Sequence, residues 1–344
     1  MPKVRKHYNI QQAISDTQKG IPLSAAQAET VFNEIMQGEA TPAQIGALLM
    51  GLSIRGETPE LVAGAARAMR SAATKIKPKA TGLLDTCGTG GDGASTFNIS
   101  TTVAIVLAAC GVPVAKHGNR AISSKSGSAD VLEALGVKLD ISPEQVAACV
   151  DEVGIGFLFA PQCHPAMKYA GPVRREMGVR SVFNLLGPLT NPAGAEYQIL
   201  GVFGEEKLDL VAGALSQLGT QRALIVHGRD GLDEITTTTI TDAVWVENGT
   251  THRFEIDPAA FGMPYATPQA LEGGDASFNA EVIKHILAGV QGAGRDIVLL
   301  NSAAALWVAG KVDSIADGLG LAAQTIDDGK ATATLDALIA FTNK

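Results

Sequence analysis

With 344 residues, of which 46% are hydrophobic and 18% charged, the chain can bury one large or two modest cores without cross-links. Its formal net charge of −8 argues against a dedicated nucleic-acid binder, which needs a basic footprint to displace counterions from phosphates. No apolar run is long enough for a bilayer, and no signal core follows the basic start Met1-Pro2-Lys3-Val4-Arg5-Lys6. Cys87, Cys110, Cys149 and Cys163 show neither a C-x-x-C pair nor zinc spacing. A reduced, cytoplasmic protein with neither membrane nor nucleic-acid partners is expected.

The first seventy-odd residues read as helices with clear start signals. Ser24 with Gln27 and Thr41 with Gln44 fit capping boxes, Pro42 takes the favoured first helical position, and Thr58-Pro59-Glu60 opens a third segment. Ile45, Leu48, Leu49 and Leu52 recur at helical spacing. The basic, proline-containing stretch 75–80 predicts a hinge or linker, which closes a helical domain over 1–75. Short β-type runs then alternate with helices. Strands are predicted at 83–86, 112–115, 155–159, 199–202 and 223–227, and a hairpin runs over 236–246, through Asn248-Gly249, to 251–256. Ser142 caps a helix ahead of Ile155, and 278–288, 297–308 and 335–341 are helical. The predicted class is α/β: a small all-helical N-terminal domain, then over 81–344 a large α/β domain with a mostly parallel central sheet covered by helices.

The chemistry gathers first at Leu83-Leu84-Asp85-Thr86-Cys87-Gly88-Thr89-Gly90-Gly91-Asp92-Gly93, a strand running into glycines. An apolar helix predicted over 102–110, with Ser100 or Thr101 as its N-cap, follows. Strand, glycine loop and helix N-terminus together suit an anion. The loop matches G-x-G-x-x-G, but its helix starts late and the next strand ends in Lys116-His117 rather than an acid, unlike a dinucleotide fold. The Gly-Lys-Ser or Gly-Lys-Thr of a P-loop is absent. A glycine-rich turn without a ligand stays open as the alternative.

Three further clusters follow. Lys116-His117-Gly118-Asn119-Arg120-Ala121-Ile122-Ser123-Ser124-Lys125-Ser126-Gly127-Ser128 begins where a strand ends and suits a polyanion, a solvated charge run being the alternative. Gly228-Arg229-Asp230-Gly231-Leu232-Asp233-Glu234 reads by default as a solvated turn. Beside a diphosphate its adjacent carboxylates would instead hold magnesium. In the stretch from Cys163 to Glu176, Arg174 and Arg175 either face water or clamp a carboxylate, and His164 reads as pocket-lining or structural. The stretch 183–192 reads as a shaped return connection.

Gly88-Thr89-Gly90-Gly91-Asp92, Lys116-His117-Gly118-Asn119-Arg120, Asp233-Glu234 and Gly187-Pro188-Leu189-Thr190-Asn191-Pro192 together resemble the anthranilate phosphoribosyltransferase family over nearly the whole chain. The resemblance implies a nucleoside-phosphorylase-type fold with a cleft between two domains, the segment 164–185 returning to the helical one. It implies transfer of phosphoribosyl from 5-phosphoribosyl 1-pyrophosphate to anthranilate, in tryptophan biosynthesis. Carried onto this chain, Gly88, Gly91, Asp92, Asn98, Ser100, Thr101, Lys116 and Ser128 line the phosphoribosyl pyrophosphate site. Ser100, Asp233 and Glu234 take magnesium, two ions per active site, brought partly with the pyrophosphate substrate. Gly88, Asn119 and Arg174 meet anthranilate, with His164 and Met167 along its path, and Lys116, Asp233 and Glu234 are the catalytic set. Family members pair through the N-terminal helices, so a homodimer is expected. A pyrimidine-nucleoside phosphorylase, sharing the fold and glycine loop without needing the acidic pair, and a non-catalytic relative binding nucleic acid are the alternatives.

Overall fold

The computed structural model describes residues 8–121 and 125–344. The basic start at 1–6 and Ile122-Ser123-Ser124 of the second cluster lie outside the described residues. Four helices come first: α1 (Ile10–Gln18), α2 (Ala25–Gln37), α3 (Pro42–Arg55) and α4 (Pro59–Ala72). Both expected capping boxes form. Gln27 N–H donates to Ser24 Oγ at 3.3 Å while Ser24 N–H reaches the Gln27 amide oxygen at 2.9 Å, and Thr41 with Gln44 repeats the pattern. Thr58 caps α4 at Leu61 N–H, 3.2 Å away. The apolar stripes these caps set in register bury Phe32, Ile35, Leu48 and Leu49 completely.

The stretch 75–80, expected as a hinge or linker, makes packing and hydrogen-bond contacts of its own. Ile76 is buried, and the Asp151 carboxylate accepts the N–H groups of Lys79 (2.8 Å) and Ala80 (2.9 Å). The chain continues through β1 (Leu84–Asp85), α5 (Ile99–Ala109), β2 (Val114–Gly118), α6 (Ser128–Ala134), α7 (Pro143–Val153), β3 (Ile155–Phe159), α8 (Ala160–Cys163), α9 (Met167–Met177), α10 (Phe183–Leu186), β4 (Tyr197–Gly201), α11 (Leu208–Leu218) and β5 (Arg222–Gly228). The hairpin β6 (Thr241–Glu247) and β7 (Thr250–Ile256) and helices α12 (Ala276–Leu287), α13 (Ala293–Val308), α14 (Ile315–Asp327) and α15 (Lys330–Thr342) complete it. Helix α9 packs on α2 and α3, and the Phe183 ring lies 5.6 Å from that of Phe32. The segment 164–185 therefore shares the core of the N-terminal helices.

One seven-stranded sheet runs in the order β3-β2-β1-β4-β5-β6-β7, parallel from β3 to β5 and antiparallel at the hairpin. The N-terminal helices and α11 cover one face, while α5 and the C-terminal helices pack the other. Two expected strands are displaced. Pro113 has no N–H to give, so β2 pairs with β3 only from Val114, and it runs on through Lys116 and His117 to Gly118. The first hairpin arm starts at Thr241 rather than 236, because Thr236 and Thr238 turn their hydroxyls onto the Asp230 carboxylate. Asn248 (φ 48°) and Gly249 (φ 80°) form the expected tight turn. From β1 the chain leaves on one side for β2 and β3 and returns on the other for β4. The carboxyl ends of β1 and β4 thus flank a switch point, where open α/β sheets take ligands. Among the described residues no helix is long and apolar enough to cross a membrane.

Candidate active site

The glycine loop leaves β1 at this switch point, and bare backbone there lets one acid in. A Cβ on Gly88 would stand 2.8 Å from Asp233 Oδ2, and one on Gly201 would stand 1.5 Å from the Asp233 carbonyl oxygen. Through that gap Asp233 Oδ2 accepts the Gly90 N–H at 2.7 Å. Gly91 then turns through φ +76°, a conformation that L side chains rarely adopt. Among the described residues, the amides of Gly91, Asp92 and Gly93 donate to no group of the chain. Bare N–H donors at the carboxyl end of a strand are what an anion site requires.

Helix α5 starts earlier than expected, at Ile99, and neither Ser100 nor Thr101 is its cap. Asn98 holds that position without a side-chain cap bond. Glu234, arriving from the loop after β5, accepts the Ser100 N–H at 3.1 Å and so serves the helix terminus from outside the helix. Lys116 Nζ donates to Thr86 Oγ1 (3.0 Å) and Ser100 Oγ (3.4 Å) beneath it, and Thr86 Oγ1 donates to the Ser100 carbonyl (3.0 Å). Lys116, Ser100, Asp92, Asp233 and Glu234 are therefore brought together.

Solvent still reaches both carboxylates in part. Burial, then Asp92 and Glu234, nevertheless holds Asp233 well above the ordinary carboxylate range. Burial likewise raises Glu234, and Lys116 opposes it. A crowded set of hard oxygen donors short of positive charge fits magnesium. The loop bearing the pair is pinned from behind. Asn301 of α13 brackets Ile235, accepting its N–H at 3.0 Å and donating to its carbonyl at 2.8 Å.

Below the cradle lies a buried polar floor that sequence reasoning missed. Asp85 accepts the His117 N–H (3.1 Å) and an Asn191 amide N–H (2.8 Å), and burial pushes its carboxyl up to about 6 against the pull of Lys116. His117 Nδ1 lies 3.1 Å from the Gly187 carbonyl, and its Nε2 lies 3.2 Å from His164 Nε2. A carbonyl only accepts, so His117 carries its proton on Nδ1 and takes a second bond from the His164 Nε2–H. The stretch 183–192 is thus more than a return connection, because Gly187 and Asn191 hold the floor. Asp85, Cys87 and His117 bring possible ligand atoms within 4.8 Å of one another. Both His117 nitrogens are already engaged, however, and burial and Asp85 raise the Cys87 thiol, so the trio is neither a thiolate nor a cation site. The available sequence signal was Asp85 itself, a charge inside an apolar strand.

The histidine pair makes stability depend on pH. Burial pulls His117 down to about 3 and His164 to about 4, from 6.5. Between these values the unfolded chain binds the extra protons, so stability falls as pH falls below 6.5, by up to about 1.4 kcal/mol per pH unit for each histidine. Asp85 acts oppositely from 3.8 to about 6, where stability falls as pH rises. Urea unfolding from pH 6.5 down to about 5 should therefore lose stability less steeply in His164→Gln than in the parent.

The remaining expected residues fall into two groups. Asn98 spends its amide on the Ser126 carbonyl (3.1 Å), the Ser126 hydroxyl (3.3 Å) and Asn279 (3.0 Å), and the Thr101 side chain is buried. Arg120 pairs with Asp130 (3.1 Å) and Glu133 (2.5 Å), whereas Asn119 is exposed and Ser128 Oγ donates to its carbonyl at 3.2 Å. On the helical side, Met167 packs on the helical core as α9 begins. Arg174 is half-buried over the Phe183 ring (5.2 Å to its centroid) and makes no ion pair or hydrogen bond among the described residues. Arg180, which sequence reasoning passed over, reaches the glycine loop from the same side, and a short bond joins its guanidinium to the Gly91 carbonyl.

Known proteins match this architecture end to end. The profile described as "Glycosyl transferase family, helical bundle domain" matches residues 11–73, and "Glycosyl transferase family, a/b domain" matches 80–332. The anthranilate phosphoribosyltransferase of Acetivibrio thermocellus is 52% identical over 334 residues, 97% of each chain. That of Solibacter usitatus is 53% identical over 321 residues, 93% of this chain and 94% of its own. The chain belongs to the anthranilate phosphoribosyltransferase family. Among solved structures, the family's enzyme from Thermus thermophilus superposes with a TM-score of 0.92 at 45% identity, covering 96% of this chain and 99% of that one. The Saccharomyces cerevisiae enzyme, solved with phosphoribosyl pyrophosphate and magnesium, does so at 0.87 and 26% identity, covering 97% of this chain and 98% of that one. The yeast enzyme has also been solved with 4-fluoroanthranilate.

Proposed function

We propose that this enzyme transfers the phosphoribosyl group of 5-phosphoribosyl 1-pyrophosphate to the amino nitrogen of anthranilate, giving N-(5-phosphoribosyl)anthranilate and pyrophosphate in tryptophan biosynthesis. The observation that carries this reading is the meeting, at one switch point, of unpaired loop amides, Lys116 and the Asp233–Glu234 pair, with the unpaired Arg174 across the cleft. The amides of Gly91 and Asp92, with Gly88, Ser100 and the α5 terminus, take the diphosphate. Arg174 takes the anthranilate carboxylate, with Asn119 and Met167 at the edges of that side. His164 acts through His117. Asn98, Thr101 and Ser128 shape the phosphoribosyl side from behind, since their side chains are buried or bonded within the protein.

As the anomeric C–O bond breaks, positive charge builds on the ribose and negative charge on the leaving diphosphate. The buried Lys116 stabilises that departing charge through its field, and the loop amides do so by hydrogen bonds. Magnesium held by Ser100, Asp233 and Glu234, two ions per site, would neutralise the diphosphate further. The aromatic amine is unprotonated at neutral pH and attacks through its lone pair without a strong base. This agrees with a site whose histidines are buried, neutral and bonded to each other. An assay following loss of anthranilate fluorescence, with and without phosphoribosyl pyrophosphate, tests the reading. Phosphate-dependent cleavage of thymidine with no loss of anthranilate would overturn it.

We also propose a cytoplasmic homodimer joined through the N-terminal helices. Ile54 (75% exposed), Ile21 (50%) and Met50 (38%) leave apolar surface open on that bundle. Light scattering should give twice the 35.5 kDa of one chain, and Ile54→Asp should shift it toward the single-chain mass. A monomeric parent at micromolar concentration would count against the dimer.

A further inference from the structure

We infer that Arg180 is a positioning residue that couples the two sides of the cleft, tying the segment that carries Arg174 to the loop that cradles the diphosphate. It lies on the connection between α9 and α10, which belongs to the helical side. Its own carbonyl accepts the Ser53 hydroxyl of α3 at 3.2 Å, which anchors its backbone to that side. Its side chain crosses to the α/β side. The guanidinium stands 4.3 Å from the centroid of Phe203, just beyond β4, and donates to the Gly91 carbonyl. Phe203 in turn gives its N–H to Thr89 Oγ1 at 3.1 Å, so both of its contacts end on the glycine loop.

Arg180 is exposed, and no carboxylate pairs with it among the described residues. An exposed arginine held instead by a backbone carbonyl and an aromatic face is placed by geometry, which its planar fork allows. The Gly91 carbonyl it grips belongs to the same planar peptide group as the unpaired Asp92 N–H, and the unpaired Gly93 N–H follows one residue on. Fixing the carbonyl therefore fixes the loop, and tilting Arg180 with the helical side moves the loop with it. The device also brings the sides together over the ribose, where water would trap the cation.

This inference rests on the loop being the diphosphate cradle, and the test separates the two. In steady-state kinetics with both substrates varied, Arg180→Ala should raise the Michaelis constants for anthranilate and for phosphoribosyl pyrophosphate alike, each by about tenfold, as losing a charge-assisted bond does. Product analysis should show a larger share of pyrophosphate formed without phosphoribosylanthranilate, because water enters the loosened cleft. Arg180→Lys, which keeps the charge without the fork or the stacking, should recover only part of this, and the melting temperature of both should stay at the parent's. A rise confined to phosphoribosyl pyrophosphate would make Arg180 a plain phosphate ligand and overturn the coupling, as would parent values for both constants. A Gly91→Val arm run alongside that leaves the phosphoribosyl pyrophosphate constant unchanged would overturn the loop assignment, and the inference with it.

Discussion

Asp233→Asn combined with Glu234→Gln should lower turnover by about a thousandfold or more in saturating magnesium, the scale on which preorganised charge stabilisation acts. The same double variant should fold at least as stably as the parent. Burial, with Asp92 beside both and Glu234 beside Asp233, holds both carboxyl groups above their ordinary range, so their charged forms oppose folding, and neutral amides remove that strain. Glu234→Gln still offers the Ser100 N–H an acceptor, its side-chain amide oxygen, so α5 is not left without a partner at its start. Loss of activity without loss of melting temperature, together with a larger free-manganese signal in electron paramagnetic resonance titrations because less of the ion is bound, is the expected result. Full activity in magnesium would refute the metal assignment. A lowered melting temperature would mean that the pair is structural.

The second large effect separates the substrates. Arg174→Ala should raise the Michaelis constant for anthranilate by about thirtyfold, equivalent to about 2 kcal/mol, and leave that for phosphoribosyl pyrophosphate nearly unchanged. The low end of the range for a desolvated charge pair applies, because Arg174 is only half-buried and water partly screens the carboxylate it would hold. Gly91→Val should do the reverse. At φ +76° a β-branched residue is strained, and its side chain would stand over the amides that approach the diphosphate and against Arg180, 3.6 Å from the new Cβ. Both variants weakening one substrate would show that the cleft is not divided into an aromatic side and a phosphate side.

What the sequence determined by itself is local. Helix starts were legible at Ser24, Thr41, Thr58 and Ser142 because a cap bonds a backbone three residues away, and tertiary structure need only leave it in place. The glycine loop was legible for the same reason, since positive φ is a property of one residue. So was the acidic pair, through its family motif. What only the tertiary structure decided depends on groups far apart in the chain. Glu234 caps α5 from 134 positions away, Asp233 meets Gly90 across 143, and Arg180 meets Gly91 across 89. The helix cap was misassigned because Ser100 is a good capping residue in sequence, whereas the fold supplied a carboxylate from another strand end. Lys116 and His117 read as a polar loop, yet they are buried in β2, because Asp85, Thr86, Gly187 and His164 offer partners that no pattern of hydrophobicity records. Burial of a polar group is decided by whether its partner arrives, and arrival is a matter of topology.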